Sequence, residues 1–121
     1  MTMAMRTASG ATVRRMGPAP VDLVHLARQT FGSAELEREV LQLFVRQGAP
    51  SVREIAAANR TARGAVVHRL KGSARGVGAQ EVARLCEALE APALAESEAR
   101  RLIGELAEAV TAVERFVAEV Y

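Results

Sequence analysis

Apolar positions along the chain recur at helical spacing, in five runs separated by proline, glycine or short polar stretches. An α-helix advances by about 100° per residue, so positions three, four and seven apart share a face. Leu23, Leu26, Ala27 and Thr30 form the first such face, with Asp22 as its cap and Gly32 as its stop. Ser33 is placed to cap a second helix in which Leu36, Val40, Leu43 and Phe44 repeat, and Val52, Ile55 and Asn59 continue the register. Between these two groups Gly48-Ala49-Pro50 either kinks or breaks the helix, because proline lacks an N–H and its ring crowds the preceding turn. A polar turn at Asn59-Arg60-Thr61 leads into a helix predicted over 62–75, with Val66, Leu70, Ser73, Ala74 and Val77 on one arc and Gly76 and Gly78 as terminators. Residues 79–91 carry Val82, Leu85, Cys86 and Leu89 on one face and stop at Ala91-Pro92. The last helix is predicted over 96–120, its stripe being Leu102, Ile103, Leu106, Val110, Val113, Val117 and Val120. Gly104 inside it costs about 1 kcal/mol relative to alanine.

Four substantial amphipathic helices with short connections imply an all-α protein, an antiparallel up-down four-helix bundle with a short additional N-terminal helix. Composition agrees: half of the 121 residues are hydrophobic, only four are aromatic and about a fifth are alanine, a balance that favours close-packed helices over sheets. The length suits one core and not two. Residues 1–20 have no periodicity and are expected to form a poorly ordered tail closed by Pro18 and Pro20, leaving 21–121 as the bundle. No apolar run in that tail is long enough for a membrane span or a signal-peptide core, so the expected compartment is the cytoplasm. A bundle that buries its stripes internally is expected to be a monomer.

Charge narrows the chemistry. The formal net charge of +2 and a pI near 9.3 are too mild for sequence-independent binding of nucleic acid. The distribution is uneven: no acid lies between Glu54 and Glu81, where Arg60, Arg63, Arg69, Lys71 and Arg75 all fall. From Glu96 onward six acids face three bases. Cys86 is the single cysteine, which excludes an intramolecular disulfide and a thiolate metal cluster, and its place in an apolar stripe makes it a core residue. No metal site is expected from two histidines at unrelated spacing. His25 has no chemical neighbourhood and reads as structural or merely exposed.

His68 is different. It falls almost opposite the arc of Val66, Leu70, Ala74 and Val77, so a packed helix holds the imidazole toward solvent, with Lys71 one turn on and no side chain at Gly72. An imidazole presents one ring nitrogen to phosphorus while a hydrogen bond holds the other, and histidine supplies a neutral nucleophile near neutrality. Lys71 is placed to offset phosphate charge, and Gly72 to leave room beside the ring.

The string His68-Arg69-Leu70-Lys71-Gly72-Ser73-Ala74, followed by Val77-Gly78-Ala79, Leu85-Cys86 and Leu89-Glu90, resembles the histidine phosphotransfer (HPt) family of two-component phosphorelays. Val21-Asp22-Leu23 and Leu41-Gln42-Leu43-Phe44 fit the first two helices of that family, so the resemblance spans about residues 21–120. Pro50 and Gly64 depart from its pattern. The resemblance implies that His68 accepts a phosphoryl group from a response-regulator receiver domain, or from a hybrid sensor histidine kinase, and relays it to another receiver aspartate. It implies that Mg²⁺ and the acceptor carboxylate belong to the receiver. It also implies a hydrogen bond between Glu90 and imidazole Nδ1, leaving Nε2 as the phosphoryl acceptor. Arg63, Gly64, Val67, Lys71, Gly72 and Arg75 are the surface expected to meet the partner. With no Gly-rich phosphate loop and no Walker lysine, neither ATP binding nor autokinase activity is expected.

The rival reading is a DNA-binding helix-turn-helix over residues 52–70, in which Arg63 and Arg69 would contact DNA. Thr61 stands where its turn should carry glycine, no strongly basic flank accompanies it, and the last helix is acidic. A structural helical adaptor, indifferent to loss of the imidazole, is the third reading.

Overall fold

A computed structural model describes residues 19–121; the tail expected over residues 1–20 therefore lies almost wholly outside the described residues. Five helices follow in order: α1 (Leu23–Gln29), α2 (Ala34–Ala57), α3 (Arg60–Val77), α4 (Gln80–Leu89) and α5 (Glu96–Val120). Helices α2, α3, α4 and α5 each pack on their neighbours in a closed ring, and α1 lies against α2 and α3. Two of the packed pairs are antiparallel on their own contacts. Glu37 meets Tyr121 while Gly48 meets Val110, and Arg75 meets Glu87 while Lys71 meets Glu90, so one number falls as the other rises. Among the described residues no helix is long and apolar enough to cross a membrane.

Local signals start the helices. The Asp22 carboxylate accepts from the N–H groups of Val24 and His25, both at 3.1 Å, and Ser33 Oγ accepts from the Leu36 N–H at 3.1 Å. Asn59 was read as part of a turn preceding the third helix; its Oδ1 accepts from the Ala62 N–H at 2.8 Å, so α3 begins at Arg60, two residues earlier. Helix α3 also runs through Gly76 and ends at Val77, because Gly78 takes the left-handed conformation (φ 81°) that closes it. Gly78 has a second duty: a Cβ there would stand 2.9 Å from the Asp22 carbonyl oxygen, where the entry to α1 crosses the end of α3. His25 secures the same junction, its Nε2 donating to the Arg75 carbonyl oxygen at 2.9 Å.

Pro50 does not break α2, which is continuous from Ala34 to Ala57. The proline is exposed, so water can satisfy the carbonyl that loses its intrahelical partner. The buried arc of α2 is Leu41, Phe44, Gly48, Val52 and Ile55, whereas Leu36 and Leu43, expected inside, are 38% and 47% exposed. They lie on the edge of the stripe, and the position of α5 decides which edge is covered. Leu23 and Val120 are likewise more exposed than their periodicity implied, and Phe116 is buried. At the end of α1, Phe31 occupies a left-handed position (φ 55°) and is almost fully solvated.

Gly48 marks a close approach of α2 to α5, since a Cβ there would lie 2.9 Å from Val110 Cγ1. Around Gly104 a Cβ would meet nothing within 4 Å. Gly48→Ala is therefore expected to destabilise the bundle by about 1–3 kcal/mol. Gly104→Ala is expected to stabilise it by up to about 1 kcal/mol. Urea unfolding followed by circular dichroism measures both, and a Gly48→Ala midpoint at or above that of the wild type would contradict the close approach.

Candidate functional site

Helix α3 carries the site because one arc of it is consumed by the core. Val66, Val67, Leu70, Ala74 and Val77 are buried against the neighbouring helices, which turns the His68 side chain outward, 76% exposed. Helix α4 buries Val82, Leu85, Cys86 and Leu89, and the residue that closes it is Glu90. That packing sets the carboxylate between two side chains of α3. Glu90 Oε2 lies 3.3 Å from His68 Nδ1, and Lys71 Nζ donates to Glu90 Oε1 at 2.5 Å. Because an ionised carboxylate only accepts, the bond to His68 requires the proton on Nδ1 and leaves the lone pair on Nε2.

The Lys71 ammonium, followed by the hydrogen bond from His68, holds the Glu90 carboxyl below the usual carboxylate range. Lys71 itself is 14% exposed, its stem covered and its head against the carboxylate. Periodicity places this cation one turn from the histidine; the ion pair to Glu90 is a contact that spacing within α3 does not reveal. Burial pushes the Cys86 thiol up to about 12, so that thiol is no nucleophile at neutral pH.

A Cβ at Gly72 or at Gly64 would meet nothing within 4 Å, so packing among the described residues requires glycine at neither position. They lie one turn to either side of His68 and leave the helix surface low around the ring. Arg75 is exposed, with its guanidinium 3.8 Å from Glu87. Two residues expected on the partner surface are not there. Val67 is 1% exposed and belongs to the core, because it shares the arc of Leu70 and Ala74. Arg63 is 6% exposed, with its guanidinium bound through two nitrogens to Glu96 at 3.0 and 3.1 Å. The helix-turn-helix reading needed Arg63 free to reach a base edge, whereas its guanidinium is engaged by Glu96. Arg69, its other contact residue, lies 3.7 Å from Glu54.

The run of positive charge between Glu54 and Glu81 is thus largely offset. Arg63, Arg69, Lys71 and Arg75 each face a glutamate, and Arg60 donates to the Leu94 carbonyl. One signal for the burial of Arg63 was in the sequence: it stands three residues before Val66 and seven before Leu70, on the apolar arc, where a charge requires a partner. Among the described residues no group of three or more His, Cys, Asp or Glu side chains is arranged to hold a metal ion.

In comparison with known proteins, the family model for the Hpt domain matches residues 33–117, which takes in α2, α3, α4 and most of α5. No curated protein and no solved structure gives a significant match.

The lowered acidity range of Glu90 has a consequence for stability. A carboxyl whose folded pKa lies below its unfolded value contributes stability above the unfolded value, about 4.3 for glutamate, and loses it as the pH falls through the folded one. Replacement by Glu90→Gln removes that contribution. The stability difference between wild type and Glu90→Gln is expected to be largest near neutral pH and to shrink below about pH 4. Urea titrations at both ends of that range measure it, and a difference that grows on acidification would contradict the assignment.

Proposed function

The chain belongs to the Hpt domain family, the phosphotransfer modules of two-component phosphorelays, and from that premise we propose that His68 is the phosphoacceptor of a relay between receiver domains. The observation that carries the proposal is the solvent-exposed imidazole with Nδ1 engaged by Glu90, which supports attack from Nε2.

In the accepting step the Nε2 lone pair forms a bond to the phosphorus of a receiver's aspartyl phosphate. The P–O bond to that aspartate breaks, and the aspartate leaves as a carboxylate. Nδ1 keeps its proton, so the ring becomes cationic as it gains the phosphoryl group, and the Glu90 carboxylate 3.3 Å away offsets that charge. Lys71 supplies the cation for the phosphoryl oxygens, exchanging part of its bond to Glu90 for one to the incoming group. The donating step is the reverse, with a second receiver's aspartate as nucleophile. Most of the work in such transfers is positioning and charge stabilisation, and both are present without a catalytic base.

The bivalent metal that assists the transfer, Mg²⁺, belongs to the receiver in this reading. The receiver docks over the low surface from Gly64 to Gly72, with Arg75 at its margin. The direction of need is outward: phosphoryl groups arrive from a receiver or a hybrid kinase rather than from ATP, and the reaction proceeds in the cytoplasm.

His68→Gln is expected to abolish phosphoryl labelling by a phosphorylated receiver while leaving the circular dichroism spectrum unchanged; the wild-type adduct should be acid-labile and alkali-stable, as a phosphoramidate is. Retained labelling in the folded variant would refute the assignment. Gly72→Phe is expected to slow transfer by at least about tenfold, because a misplacement of about 1 Å at the reacting atoms already costs on the order of a hundredfold. The same substitution should leave the unfolding midpoint close to that of the wild type, since open space surrounds the site. Lys71→Ala should slow transfer as well. Wild-type rates in both variants would mean that the partner docks elsewhere.

A further inference from the structure

Arg63 is the only charged side chain among the described residues that is buried, and its partner Glu96 belongs to the first turn of α5. Neither residue touches His68. Their position explains them. The connector between α4 and α5 leaves α3 at Glu90 and returns to it at Leu94 and Glu96: Lys71 and His68 hold the first end, while Arg60, on the Leu94 carbonyl, and Arg63, on Glu96, hold the second. Between these ends the connector does not lie flat on α3. A groove of about 410 Å³ separates them, lined by Gly64, Val67, Leu89 and Pro92 among others. A strand of backbone that bridges a gap takes its position from its tethers and not from continuous apolar contact. The start of α5 adds to that dependence, because its cap residue, Ala95, offers no side-chain hydrogen bond to the first turn.

We infer that Arg63 and Glu96 are positioning residues for the relay: their ion pair, with Arg60 on the Leu94 carbonyl, anchors the α4–α5 connector so that Glu90 stays on His68 Nδ1. The inference rests on the relay reading for its functional consequence, though not for its geometry. Arg63 suits the task because a guanidinium donates two parallel bonds in a fixed plane, which defines orientation as well as distance. Burial of the guanidinium keeps water from competing on the Arg63 side, where the side chain is 7% exposed. When the tether is cut, the connector gains freedom over the groove, the Glu90 carboxylate loses its set place, and the imidazole proton is no longer confined to Nδ1. Nε2 then carries that proton part of the time and is no nucleophile while it does.

The test is a double-mutant cycle on the full chain with Arg63→Gln, Glu96→Gln and the double variant, read by ¹⁵N NMR of the His68 ring and by the rate of phosphoryl transfer from a receiver. Arg63→Gln is the decisive variant, since the Glu96 side chain it leaves behind is 55% exposed and keeps its solvent, whereas Glu96→Gln leaves the buried guanidinium without its counterion. Folding is checked by circular dichroism. In the wild type the ring nitrogen signals should report the Nδ1–H tautomer. Each single variant should move the signals toward Nε2–H and slow transfer about tenfold, the scale on which partners of a reactive group's own ligand act. The double variant should do no more than either single, because both act through one bond. A folded Arg63→Gln protein with the wild-type ring signals and rate would overturn the inference, as would additive effects in the double variant. A wild-type protein that accepts no phosphoryl group from any receiver would refute the relay reading instead, and the ring signals of the variants would still decide whether the tether positions Glu90.

Discussion

Glu90 is the residue on which the site depends, because one carboxylate meets two side chains of a different helix and gives each a defined orientation. Its two oxygens divide the task, one taking the Lys71 ammonium and the other facing His68 Nδ1. The length of α4 brings the carboxylate to that place. Helix α4 buries Leu85, Cys86 and Leu89 on α3 and its other neighbours, and then stops, so that the next residue emerges at the level of His68. An added turn would carry the acid past the imidazole by about 5.4 Å.

The ion pairs of this protein do different work according to their burial. Arg69 with Glu54, Arg75 with Glu87 and Arg84 with Glu81 are exposed pairs, and such pairs contribute on the order of 1 kcal/mol or less to stability. The first two lower the positive potential around α3 and join it to α2 and α4, while the third lies within α4. Arg63 with Glu96 is half inside the protein, where removal of one partner leaves a charge without solvent or counterion. Here the pair governs position, since the same two bonds determine where α5 begins relative to the helix that carries His68.

Glycine has two separate meanings in this fold. Gly48 and Gly78 are demanded by neighbours, one by Val110 on α5 and the other by the Asp22 backbone and by a left-handed turn. Gly72 and Gly64 are demanded by nothing among the described residues, although glycine inside a helix costs about 1 kcal/mol relative to alanine. A cost without an internal return, repeated on both sides of an exposed histidine, supports a surface shaped for something that approaches from outside. Gly104 is equally open, but lies in α5, away from the helix that carries His68, so open space alone does not distinguish the pair; its place beside the imidazole does.

Helix number, approximate helix limits and the outward direction of His68 were determined by the sequence alone, since each follows from the 3.6-residue period and from caps such as Asp22, Ser33 and Gly78 that act within a few residues. The string around His68 carried the family resemblance in the same local way. Contacts between distant segments were decided only in the tertiary structure. Periodicity marks an apolar arc but not the neighbour that covers it, which is why Leu43 was expected inside while Leu41 is buried there. The continuity of α2 through Pro50 depends on the proline facing solvent, a matter of how α2 packs. Arg63 and Val67 looked like surface because their arc was read as ending at Val66, and the partner that permits a buried guanidinium, Glu96, lies thirty-three residues away. The ion pair of Lys71 was out of reach for the same reason. Its carboxylate is supplied by another helix, and no spacing within α3 encodes an interaction whose second half arrives only when the bundle closes.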